Sequence, residues 1–130
     1  MLFAVLVVAV QIAFSQASQP EQTFAVATVD SPVHDFGKIK QGTPVTHEFK
    51  FVNTSKEPLI ITNAQPSCGC TVPSWTREPI PPGGTGFVKA TFNAAAAGGF
   101  NKSVTVTANV EGGVIMLTIR GEVMIPVPNE

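Results

Sequence analysis

From residue 23 onward, apolar and polar side chains alternate with a period of two, which is the pattern of strands with one buried face. In "VTHEFKFVN", Val45, His47, Phe49 and Phe51 fall on one face and Thr46, Glu48, Lys50 and Val52 on the other. "NTSKEP" interrupts the alternation, and "LIITNA" begins a second strand. The pattern returns in "TGFVKATFN", where Val88, Ala90 and Phe92 oppose Phe87, Lys89 and Thr91. "KSVTVTANV" sets Val104, Val106, Ala108 and Val110 against Ser103, Thr105, Thr107 and Asn109. "VIMLTIRGEV" sets Ile115, Leu117, Ile119, Gly121 and Val123 against Met116, Thr118, Arg120 and Glu122. Between these last two, Glu111 to Gly113 predicts a hairpin connection in which glycine takes positive φ. "TFAVATV", "HDFGKI" and a short strand around the cysteines bring the expected total to seven or eight. No segment of this region keeps helical spacing for three turns.

Short strands spaced about 8 to 12 residues apart, each with one apolar face, close most readily as two packed antiparallel sheets. The expected fold is an all-β, immunoglobulin-like sandwich of seven to eight antiparallel strands over residues 28–125. Residues 18–27 form a linker and the start of the first strand, and 126–130 form a tail. Phe49, Phe51, Phe92, Val104, Val106, Leu117 and Ile119 are the expected core. A small closed barrel is the alternative, but it needs matched strand lengths that the Pro-rich middle does not offer. Antibody domains pin their sheets with a Cys…Trp…Cys pattern; here both cysteines lie together and Trp75 follows them.

The N-terminus is different in kind. "MLFAVLVVAVQIAF" is almost wholly apolar, and no charged side chain precedes Glu21. Its apolar run is nearer the length of an export-signal core than the ~20 residues that span a bilayer, and Ser15, Gln16 and Ala17 offer small residues for cleavage. Residues 1–17 therefore read as a signal peptide, and a periplasmic or secreted location follows. The absence of Lys or Arg ahead of the apolar run keeps an uncleaved anchor open as an alternative.

Composition narrows the function. Of 130 residues, 13% are charged, and the net charge is -1; about 25% charged is usual. No basic field exists to hold phosphates, so nucleic acid is an unfavourable partner. "GGTG" (Gly83 to Gly86) lacks the lysine of a phosphate loop and leads into a strand, so it reads as a turn. Asp35 and Gly37 of "DFG" read as a bend. No carboxylate pair or Ser/His/Asp pattern stands out, no catalytic residue is expected, and no cofactor is implied.

Cys68 and Cys70 are the two cysteines of the chain, separated by one glycine. In extended chain their Cα atoms would lie roughly 6.6 Å apart, at the far edge of disulfide reach, and Gly69 could bend the chain to close them. Such a bridge returns little: the loop-entropy treatment gives about 1.6 kcal/mol for three residues against about 3 for fifteen. Three readings stay open for the pair: packing or a plain disulfide, thiol redox exchange in an oxidising compartment, and soft-metal binding. For a metal, His34 and His47 are the histidines that could join Cys68 and Cys70. His47 shares a strand face with Phe49 and Phe51 and is expected at the core edge, hydrogen-bonded to backbone.

The stretch "HDFGKIKQGTPVTHEFKFVNTSKEPLIITNAQPSCGCTVP", followed by "IPPGGTGFVKATFN", "FNKSVTV" and "LTIRGEV", resembles a bacterial envelope family known as domain of unknown function fifteen seventy-three. The resemblance runs from His34 to Val123 and carries "DFG", "CGCT" and the "PGG" turn in order. It implies an immunoglobulin-like sandwich, akin to domains of spindle, ciliary and sperm-protein scaffolds, in exported bacterial proteins; it implies no activity. "AAAAGG" (Ala94 to Gly99) is plainer than a ligand-binding loop would be. The expected function is a non-enzymatic envelope module that binds another protein or a glycan through loops or a free sheet edge. The alternative is thiol-redox or copper or zinc handling through Cys68 and Cys70.

Overall fold

The computed structural model describes residues 8–12 and 23–126. The expected signal peptide lies outside the described residues except for 8–12, which have no regular secondary structure.

Eight strands follow in chain order: β1 (Ala27–Val29), β2 (Val33–Lys40), β3 (Val45–Asn53), β4 (Ile61–Pro66), β5 (Thr71–Trp75), β6 (Thr85–Phe92), β7 (Gly98–Ala108) and β8 (Val114–Met124). They form two four-stranded sheets, ordered β1-β3-β6-β5 and β2-β8-β7-β4. The protein is an all-β, immunoglobulin-like sandwich. Each of the alternating faces identified above packs inward: Phe49, Phe51, Val88, Ala90 and Phe92 from the first sheet meet Ala64, Val104, Val106, Leu117, Ile119 and Val123 from the second. The seven expected core residues are all buried. Burying a side chain of this kind is worth about 1.5–3 kcal/mol, so this layer is what holds the sheets together.

Pairing is antiparallel in five of the six strand pairs, but β2 runs parallel to β8, from Val33 opposite Thr118 to Lys40 opposite Met124. The expectation of a uniformly antiparallel fold is corrected there. The reason is the crossing of the chain from β1 in one sheet to β2 in the other through Asp30–Pro32, which brings β2 beside the last strand in the same direction. The bend expected at "DFG" interrupts this pair: the register shifts between Asp35 and Lys38, Gly37 takes a φ of 66°, and its N–H donates to Asp35 Oδ1 at 2.7 Å. The hairpin at residues 111–113 also forms, with Gly112 and Gly113 at φ 80° and 79°.

Candidate functional site

The cysteines do not lie on a strand. β4 ends at Pro66, Ser67 to Cys70 form a turn, and β5 starts at Thr71, so the pair sits where the chain passes from one sheet to the other. Both flanks of the turn are tied to neighbouring strands by backbone. Ser67 N–H donates to Ser103 O at 2.8 Å, and Asn93 N–H donates to Cys70 O at 2.9 Å. Within this frame Cys68 and Cys70 are joined in a disulfide with their Cα atoms 5.3 Å apart, closer than the extended-chain estimate because the segment is turned. Gly69 lies within this turn, as the bend expected of it requires, but a left-handed backbone angle is not what it supplies. Its φ is not positive, and a Cβ added there would meet nothing within 4 Å.

Thr71, the last residue of "CGCT", is 2% exposed, and its Oγ1 lies 4.0 Å from Cys68 Sγ and 3.9 Å from Cys70 Sγ. The sequence marks Thr71 only as the last letter of the CGCT motif; by alternation alone, a threonine after a turn reads as an ordinary strand residue. Beside the turn, Cys70, Phe92, Phe100 and Lys102, with the Ala95–Ala97 stretch, line a cavity of about 200 Å³; Cys68 is not among its walls. The plain "AAAAGG" loop thus forms one side of a small pocket, with Ala94 buried at φ 53°.

His34 on β2 and His47 on β3 come together across the gap between the sheets. Their rings stack at 3.6 Å between centroids with planes 5° apart, and Phe36 and Phe49 meet them edge-on at 4.6 Å and 4.7 Å. The backbone hydrogen bond expected of His47 is replaced by this aromatic column. Burial lowers the His47 pKa below its ordinary 6.5; the neighbouring His34 lowers it further, and Glu48 pulls weakly the other way. The four residues considered for a metal therefore form two separate couples, Cys68 with Cys70 and His34 with His47. Among the described residues, no group of three or more His, Cys, Asp or Glu side chains is placed to share an ion.

Two further features lie on the surface. On the outer face of the second sheet, Asp35, Lys38, Asn101, Arg120 and Glu122 rim an open groove of about 520 Å³, in which Arg120 Nε lies 3.3 Å from Asp35 Oδ2. At the edge of the first sheet, β1 covers β3 only at Phe51, Val52 and Asn53, leaving Val45 to Lys50 without a neighbour on that side among the described residues. Asn53 points its backbone toward β6, with its N–H on Gly84 O, and Thr54 donates to Val26 O on the other side. The alternation then directs the N–H and C=O groups of Thr46, Glu48 and Lys50 to the open edge.

The family model for DUF1573, a protein of unknown function, matches residues 27–123, which is β1 through β8 almost entire. The chain belongs to this family. No curated protein matches it. Among solved structures, a protein of unknown function from Porphyromonas gingivalis W83 superposes with a TM-score of 0.70 at 14% identity, over 84% of this chain and 51% of that one. The DUF1573 chain thus spans about half the length of that protein. A human ASH/PapD-like domain, PapD-like domain 7 of CEP192, gives a TM-score of 0.64 at 11% identity, over 89% of this chain and 99% of that one. SSP-19, an MSP-domain protein like family member in Caenorhabditis elegans, gives 0.53 at 16% identity, over 75% of this chain and 98% of that one. At these identities the likeness is one of fold.

Proposed function

We propose that this DUF1573 chain is an exported, non-enzymatic binding module of the cell envelope that captures an extended segment of a partner protein along β3. The apolar first 17 residues support export. The observation that carries the reading is the run of β3 left uncovered among the described residues, because a row of unsatisfied strand groups is a template for another strand. The other edges carry devices that discourage addition. β5 contains Pro73, β4 has a register shift at Ile61/Asn63 and ends in Pro66, and β2 has its own shift with Lys38 and Lys40. The run from Val45 to Lys50 is regular in its pairing with β6 and has neither proline nor bulge. An added strand would extend the line of β1, with apolar residues toward Val45, His47 and Phe49 and polar residues beside Thr46, Glu48 and Lys50.

Glu48→Pro tests this directly. It removes an N–H that faces the open edge and leaves the β3–β6 ladder intact. Envelope proteins captured by the wild-type chain and identified by mass spectrometry should be lost with Glu48→Pro while its circular dichroism is unchanged. Equal capture by the folded variant would rule the edge out. A glycan is the second reading, supported by the polar groove around Arg120 and Asn101, whose charges balance and so suit neutral hydroxyl-rich ligands. Arg120→Ala would then abolish glycan binding and leave protein capture untouched.

A further inference from the structure

We infer that the Cys68–Cys70 disulfide is a thiol-exchange site at which a low-mass thiol enters the neighbouring cavity and bonds to Cys70. Three observations, all separate from the strand-capture reading, converge on it.

The first is approach. Cys70 lines the cavity of about 200 Å³ and Cys68 does not, so a thiolate in the cavity meets Cys70 with Cys68 as the leaving group. The walls are the rings of Phe92 and Phe100 and a row of alanines, with one cation, Lys102. That lining suits a compact thiol bearing a negative group, such as free cysteine with its carboxylate.

The second is the leaving group. Thr71 Oγ1 stands 4.0 Å from Cys68 Sγ and 3.9 Å from Cys70 Sγ, and the hydroxyl has no other hydrogen-bond partner among the described residues. A disulfide sulfur accepts hydrogen bonds poorly, whereas a thiolate accepts them well, so this hydroxyl gains its full partner only when the bridge opens. A stabilised leaving thiolate departs faster.

The third is tolerance. The turn is held by Ser67 on Ser103 and by Asn93 on Cys70, neither of which involves sulfur. Opening the bridge leaves those backbone bonds in place, so exchange does not require unfolding.

The step balances without an outside oxidant or reductant. The incoming thiolate attacks Cys70 Sγ, a new S–S bond forms between it and Cys70, and the Cys68–Cys70 bond breaks. The electron pair of the broken bond stays on Cys68 Sγ, which accepts the Thr71 hydrogen bond and then takes a proton from water. One disulfide is exchanged for another.

The test uses the intact, oxidised chain under native conditions. It is incubated with L-cysteine or with cysteamine, which lacks the carboxylate; free thiols are then alkylated and the adduct is located by peptide mass mapping. The expected product carries the added thiol on Cys70 and the alkyl group on Cys68. Thr71→Val, which keeps the volume but loses the hydroxyl, should slow the reaction about tenfold or more, as expected for a hydrogen bond to a charged group, and Thr71→Ser should restore it. Lys102→Ala should slow L-cysteine more than cysteamine. An adduct that forms only after denaturation, an adduct on Cys68, or wild-type rates in a folded Thr71→Val chain would each overturn the inference.

Discussion

Asn53 is fully buried at the end of β3 and uses its side chain completely. Nδ2 donates to Glu57 O at 2.7 Å and to Ile80 O at 2.9 Å, while Oδ1 accepts from Ser55 N at 3.0 Å and from its Oγ at 2.6 Å. Removing the amide leaves Ser55 N–H without its acceptor, takes one of the donors from Glu57 O and from Ile80 O, and empties a fully buried site, so Asn53→Ala should cost about 3 kcal/mol in urea unfolding, against about 1 for Ser55→Ala. His47 governs a different property. Its pKa is lowered in the folded chain, first by burial and then by His34. Below pH 6.5 the unfolded chain takes up a proton that the folded one still refuses. Stability is therefore intact above that pH and falls as the pH drops through the lowered value. His47→Phe should flatten part of the fall in denaturant midpoint measured between about pH 7.5 and about pH 5. Neither role was written in the alternation. That pattern assigns faces from Val45 to Val52, and it does not say that the Asn53 amide would reach the carbonyl of Ile80, 27 residues on in sequence.

Strands were legible because each needed only its own residues: the inward rows of β3, β6, β7 and β8 match the alternation position by position. The turns at Gly37 and at Gly112–Gly113 were legible for the same reason, since positive φ favours glycine wherever it occurs. What a glycine makes room for was not. Gly121 lies in the inward row of β8 opposite Phe100, and a Cβ there would stand 2.7 Å from Gly37 O and 2.9 Å from the Phe100 ring. The missing side chain lets the bulge of β2 and the ring of Phe100 approach one strand together. Gly121→Ala should therefore destabilise the fold by about 1–3 kcal/mol in denaturant titration, whereas Gly99→Ala, with open space at its Cβ, should not suffer a clash. The CGC turn failed as a strand for a related reason: its course is set by hydrogen bonds to Ser103 and Asn93, residues distant in sequence.

The sandwich itself followed from the sequence because two layers are what short one-faced strands can bury. Which strand lies beside which depends on loop crossings that leave no periodic trace, and so the parallel neighbour of β8 came only from the structure. The same held for the meeting of His34 with His47, which belong to different sheets. That parallel pair has a mechanical consequence. β2 lies near the beginning of the domain and β8 is its last strand, and they point the same way over the pairs from Val33–Thr118 to Lys40–Met124. A load drawing the two ends of the domain apart slides these strands along each other instead of peeling them open, so their hydrogen bonds bear the force together. The joint resists in shear.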